Sequence, residues 1–146
     1  MHTRRLLWAV AAVVLIVGLF EVGAGFAGSA ETSPANFVAV YYFHGNFRCV
    51  NCRNIEQYTK EAVEKYFQKE LDAGTVAFKV INIETKGNEH FMNDYELYTK
   101  SVVLSLVKNG KEVRSNNLTK IWEYLRDKGA FHQYIKNEIE KYLKEL

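Results

Sequence analysis

The chain begins with a basic pentapeptide, Met1-His2-Thr3-Arg4-Arg5, followed by an uncharged and mostly large apolar run over residues 6–20. Glu21 interrupts that run, and small residues dominate residues 22–30. A basic start, an apolar middle and a small-residue end make up the layout of a secretory signal, and Gly28-Ser29-Ala30 puts a peptidase site before Glu31, with Ala27 a second candidate end. A retained membrane anchor fits the same residues. A helix needs about 20 residues to cross the hydrocarbon core, and residues 6–28 reach that with Glu21 toward the outer interface. Signal peptide and transmembrane helix both stay open. In either case Arg4 and Arg5 hold the N-terminus inside, so residues 31–146 are expected to be extracytoplasmic, either membrane-anchored or secreted or periplasmic after cleavage. No lipobox-type cysteine follows the apolar run.

Past residue 30 the hydrophobic period changes repeatedly. Phe37-Val38-Ala39-Val40-Tyr41-Tyr42-Phe43 is a continuous apolar and aromatic run between turn residues, as for a strand buried on both faces. From Cys52 the apolar positions Ile55, Tyr58, Ala62, Val63, Tyr66 and Phe67 recur at three and four, which predicts an amphipathic helix reaching about Leu71 and stopped by Asp72-Ala73-Gly74. Residues 76–83 read as a second strand, and residues 89–96 as a short helix with Phe91 and Tyr95 on its aromatic face. Residues 101–107 are β-rich, and Asn109-Gly110 before Lys111-Glu112-Val113-Arg114 is a strong signal for a hairpin turn. The tail, residues 118–146, reads as helical, with Gly129 breaking it in two. Asn117-Leu118-Thr119 matches a glycosylation sequon and equally a helix start capped by Asn117. The order β-α-β-α-β-β-α implies an α/β fold: a mixed four-stranded sheet, parallel strands early, helices on both faces and right-handed crossovers.

Composition narrows the classes. With 146 residues, 48% hydrophobic and 25% charged, the chain fits one globular domain, residues 31–146, behind the leader 1–30. Nineteen basic against seventeen acidic residues give a net charge of +2, and no basic block beyond Arg4-Arg5 offers a phosphate footprint, so no nucleic-acid partner is expected. Pro34 is the one proline.

The two cysteines carry the chemistry. Cys49-Val50-Asn51-Cys52 falls between the first strand and its following helix. A thiol at a helix N-terminus faces unpaired backbone N–H groups and the positive end of the helix dipole, which favour the thiolate. Cys49 is therefore the candidate attacking sulfur and Cys52 the resolving one, the spacing being short enough for a redox-active disulfide. Arg48 and Arg53 flank the pair and either stabilise the Cys49 anion or are merely solvated; Glu56, one turn on, is a proton shuttle for Cys52 or a surface charge. A structural disulfide closing so short a loop stabilises little. Structural zinc lacks a second ligand pair. A soft-metal or arsenic(III) site needs only the two thiolates, with His44 a candidate third ligand or proton carrier and equally a plain turn residue.

The buried strand, the Cys-x-x-Cys opening a helix and the later strand running into Lys108-Asn109-Gly110-Lys111 resemble thioredoxin-like oxidoreductases over about residues 37–145. More narrowly, Tyr41-Tyr42-Phe43-His44-Gly45-Asn46-Phe47-Arg48-Cys49-Val50-Asn51-Cys52-Arg53-Asn54-Ile55-Glu56, with Asn88-Glu89-His90-Phe91 and Tyr98-Thr99-Lys100-Ser101, is similar to the ArsF-type family of nitrophenyl-compound nitroreductase subunits associated with arsenic handling. The resemblance implies a redox subunit in nitroaromatic or aromatic-arsenical detoxification, acting on a partner protein's disulfide or dithiol, with a larger reductase subunit as companion. It implies no cofactor beyond the Cys49–Cys52 disulfide, since nitro reduction by hydride needs a flavin or nicotinamide and no Gly-x-Gly-x-x-Gly occurs here. Two features of thioredoxin are missing. The place of its cis-proline falls at Ser101 or Val102, where a cis peptide would cost about 2.5 to 4 kcal/mol and a trans loop is expected. The buried acid of its first core strand has no match in residues 37–43, so proton transfer must use another group.

Overall fold

Alternate side chains of the first strand feed two different cores, and that division organises the molecule. The structure, a computed structural model, describes residues 34–146. The signal or anchor expected in residues 1–30, and with it the extracytoplasmic placement, lies outside the described residues. Strand β1 (Phe37–His44) runs parallel to β2 (Val76–Asn82) and antiparallel to β3 (Ser101–Lys108), which pairs antiparallel with β4 (Lys111–Asn117). The sheet order is β2-β1-β3-β4, the mixed four-stranded sheet expected. β1 and β3 occupy the centre, which is why both read as nearly unbroken apolar runs.

Val38, Val40 and Tyr42 of β1 join Val102, Leu104 and Leu106 of β3 in the larger core. Its cover is α1 (Val50–Asp72), through Ile55, Ala62, Val63 and Phe67, and α3 (Lys128–Leu143), through Phe131, Ile135 and Ile139. On the opposite face Phe43 and Val103 pack with Leu97, Tyr41 and Ile81 beneath Phe91 and Tyr95 of the segment around α2 (Phe91–Asp94). Helices thus cover both faces, unequally. The second face depends on aromatic contacts, with Phe91 5.2 Å from Phe43 and Tyr95 5.4 Å from it, ring centre to ring centre. Among the described residues no helix is long and apolar enough to cross a membrane.

Local chemistry explains the boundaries. Asn109 and Gly110 have φ of 52° and 72°, the two consecutive positive values that a tight hairpin turn matching the strand twist requires. α1 begins at Val50 rather than Cys52, because Cys49 itself caps it. α2 is shorter than residues 89–96, and turns take up the remainder. The tail is not broken at Gly129. A 3₁₀ turn (Thr119–Trp122) follows β4, and α3 starts where the Asp127 carboxylate accepts from the Ala130 N–H at 3.0 Å, placing Gly129 inside the first turn. Nor does Asn117 cap a helix: it ends β4 opposite Val103, and Leu118 precedes the 3₁₀ turn.

The seam between α1 and α3 carries charge. Lys128 Nζ pairs with Glu61 at 2.6 Å, and the buried His132 brings Nε2 within 3.3 Å of the same carboxylate without hydrogen-bond alignment. Burial holds the His132 imidazole below its ordinary value against the pull of Glu61, while Lys128 and then Lys65 push the same way as burial. The unfolded chain therefore takes up this proton before the folded one as pH falls. The contribution is full above the ordinary histidine value of 6.5 and is lost on acidification toward the folded value. The Glu61 carboxyl is lowered, chiefly by its bond to Lys128, and so titrates beneath that window. Urea midpoints measured between pH 7.5 and 5.5 should fall in the wild type, and His132→Gln should flatten that fall.

Candidate functional site

β1 ends at His44, and the chain turns through Gly45, Asn46 and Phe47 to bring Cys49 to the start of α1. The first turn of a helix has N–H groups with no partner inside the helix. Cys49, with φ −75° and ψ 170°, is the cap: its Sγ accepts from the Cys52 N–H at 3.1 Å. The Cys49 N–H donates in return to Cys52 Sγ at 3.1 Å, a reciprocal capping box built from sulfur. The two sulfurs are joined as the Cys49–Cys52 disulfide, with Cα atoms 5.0 Å apart. Cys49 is partly accessible, whereas Cys52 has no exposed surface. An incoming thiol or disulfide can reach only the first sulfur.

The flanking charges are spent elsewhere. Arg48 pairs with Glu56, sits 5.9 Å over the Tyr42 ring and donates from Nη1 to His44 Nε2 at 3.3 Å. Arg53 Nη1 donates to the Arg48 carbonyl at 2.8 Å. Neither guanidinium is hydrogen-bonded to a sulfur in the disulfide form; of the two readings left open for Arg48 and Arg53, neither pure solvation nor direct contact with Cys49 is seen, and the Cys49 sulfur accepts from the Cys52 N–H at the helix end. Glu56 is half-buried and ion-paired rather than a free surface charge.

His44 is engaged in the turn that leads to Cys49. Its Nδ1 lies 2.8 Å from the Gly45 carbonyl and must donate there, which leaves Nε2 to accept from Arg48. With both ring nitrogens engaged, the ring stacks on Tyr42 at 5.8 Å and serves the turn. Among the described residues no group of three or more histidine, cysteine or carboxylate side chains is placed to hold a metal ion.

Tyr42 is the site residue that motif reading missed. Its hydroxyl donates to the Cys52 carbonyl at 2.6 Å, a buried bond joining β1 to the first turn of α1. Burial pushes its pKa up to about 12, with Arg48 pulling it down and Glu56 adding to the rise. The signal was the alternation in β1: Tyr42 shares the α1 side with Val38 and Val40, and a tyrosine buried there needs an acceptor. Phe47 and Val50 are 74% and 63% exposed on either side of Cys49, and Lys100 lies 5.8 Å over the Phe47 ring. Beside them a cleft of about 360 Å³ opens between the ends of β1 and β2 and the segment leading into β3, walled by Ile83, Met92, Leu97, Tyr98 and Lys100. The peptide bonds of that segment are trans, and Ser101 Oγ donates to the Thr99 carbonyl at 3.0 Å.

A β2-β1-β3-β4 mixed sheet with a Cys-x-x-Cys disulfide capping the helix after its first strand defines a thioredoxin-like fold. Among solved structures the chain is similar to thioredoxin O2 from Arabidopsis thaliana in its oxidized state, at 19% identity over 66% of this chain and 74% of that one, with a TM-score of 0.39. It is similar also to Fasciola hepatica thioredoxin, at 26% identity over 62% and 79% with a TM-score of 0.37, and to a malarial protein, at 15% over 64% and 97% with a TM-score of 0.39. No protein-family model matches the chain, and no curated protein matches it.

Tyr42→Phe removes the buried hydroxyl and leaves the helix bond to the Cys52 carbonyl. It should lower the stability of the oxidised protein by about 1 kcal/mol, read as a shift in urea midpoint at unchanged slope.

Proposed function

We propose that this chain is an extracytoplasmic thiol–disulfide oxidoreductase in which Cys49 exchanges with a partner and Cys52 resolves. The observation that carries this reading is the asymmetry of the pair: an accessible sulfur on a helix N-terminus, bonded to an enclosed one. As the reduced dithiol, the Cys49 thiolate attacks a partner disulfide, forming a mixed disulfide and expelling one partner thiolate. Cys52 then loses its proton and attacks Cys49, closing the intramolecular bond and expelling the second partner thiolate, which is protonated. The partner gains two electrons and the pair loses two; the reverse sequence oxidises a partner dithiol. The pair itself is the redox group.

The leader pattern in residues 1–30 supports the extracytoplasmic placement, with the membrane reached through residues 6–28 if the segment is retained. The likeness to the ArsF-type family supports a role as redox subunit beside a larger reductase in nitroaromatic or aromatic-arsenical detoxification. The exposed Phe47 and Val50, neighbours of Cys49 in the chain, and the cleft walled by Met92 and Tyr98 are the apolar surface proposed to receive the partner.

The test is trapping with the full chain. Cys52→Ser, reduced and offered a disulfide-bonded protein, should accumulate a mixed disulfide through Cys49, while Cys49→Ser should accumulate none. Absence of any trapped species, together with arsenite binding that needs both cysteines, would overturn exchange in favour of a thiol-based binding module.

A further inference from the structure

Resolution requires a proton to leave Cys52, and the structure restricts where it can go. Cys52 has no exposed surface, so a base in bulk water does not reach its sulfur directly. The carboxylate that thioredoxins carry in the first core strand is absent from Phe37–His44. Tyr42, nearest from that strand, is committed as a donor to the Cys52 carbonyl. His44, the other titratable group at the strand end, has one ring nitrogen donating to the Gly45 carbonyl and the other held by Arg48.

Among the described residues, Glu56 is the carboxylate one turn beyond Cys52 on α1. Residues four apart on a helix stand one above the other, with Cβ atoms about 5–6 Å apart, and Glu56 is the residue four beyond Cys52. Its side chain is 29% exposed, so it is partly enclosed yet still meets solvent. Arg48 fixes it there, reaching across from the loop while lying over the Tyr42 ring. The remaining charges around it are engaged: Arg53 bonds a carbonyl, Lys60 pairs with Glu64, and from α3 Lys128 and His132 face Glu61, farther along α1. Arg48 Nε is buried without a partner among the described residues.

We infer that Glu56 is the proton acceptor for Cys52, held in place by Arg48, and that it supplies from α1 what thioredoxins supply from the first strand. In the mixed disulfide the Cys52 S–H proton passes to the Glu56 carboxylate. The resulting thiolate attacks Cys49 Sγ, the Cys49–partner bond breaks and the partner leaves as a thiolate. Glu56 then returns its proton to solvent. No further oxidant or reductant enters. Arg48 acts here as a positioning residue.

This inference rests on the exchange reading, and one experiment separates their failures. The reduced full chain is mixed with 5,5′-dithiobis(2-nitrobenzoate), and release of the coloured thiolate is followed in two phases: attack by Cys49, then expulsion by Cys52. No first phase would mean that exchange itself fails. Glu56→Gln should leave the first phase within about twofold and slow the second about 100-fold, the scale of a lost general base. The logarithm of its second-phase rate should then rise with pH at unit slope, since hydroxide becomes the acceptor. Glu56→Asp should restore most of the rate, and Arg48→Gln should keep the wild-type pH profile. A second phase unchanged in Glu56→Gln, or equal losses in Glu56→Gln and Arg48→Gln, would overturn the assignment. Should Glu56→Gln fail to fold, the wild type decides: its second phase should not vary with phosphate concentration at fixed pH, and acceleration by phosphate would make bulk base the acceptor and refute Glu56.

Discussion

The N–H groups exposed at the start of α1 must be satisfied, and in this chain sulfur does it. Cys49 and Cys52 exchange donors and acceptors across the first turn, so the disulfide that caps the helix is also the proposed site of exchange. Folding and reactivity are therefore coupled at one place. The Cys52 N–H from which Cys49 accepts, together with the helix dipole, is the kind of environment that favours a thiolate, as the proposed exchange needs. The Tyr42 hydroxyl extends the same constraint to β1, fixing the Cys52 carbonyl against the sheet.

From that junction the division of labour across the sheet follows. The face beneath α1 and α3 is a continuous aliphatic and aromatic core that fixes the direction of α1, and hence where its N-terminus opens. The opposite face is covered by the short α2 segment and aromatic rings, and it leaves a cleft at the end of β1, lined by His44 and Gly45, instead of a packed helix. The side covered by α1 and α3 holds the sulfurs. The thinner side has Met92, Tyr98 and Lys100 at the rim of its cleft.

Much of this was legible in the sequence because burial on both faces writes a simple pattern. β1 and β3 stand out as apolar runs, Asn109-Gly110 requires the turn it makes, and the cysteine spacing locates the helix start. Gly129 misled because a glycine weakens a helix interior but costs little in the first turn, where Asp127 supplies the cap. The ion pair of Arg48 with Glu56 was hidden for another reason. Its partners are eight residues apart, one in a loop and one on a helix, outside the three-or-four spacing by which helical sequence announces contacts. Tyr42 was counted as core, and its hydroxyl bond depends on where the tertiary fold places the Cys52 carbonyl. The leader expected from residues 1–30 lies outside the described residues.

The disulfide that caps α1 is proposed also to cycle, and the packed core beneath it should hold the fold through both states. The most direct measurement is an equilibrium titration of the full chain in dithiothreitol and glutathione buffers, reading Cys49 and Cys52 by thiol-labelling mass spectrometry while circular dichroism follows the fold. The account predicts one reversible two-electron transition in metal-free protein, both cysteines changing together and the helical signal retained; a potential near about −270 mV marks a reductant and one near about −120 mV an oxidant. A pair that re-forms only after unfolding, or whose thiols stay blocked by bound metal or arsenic, would contradict it.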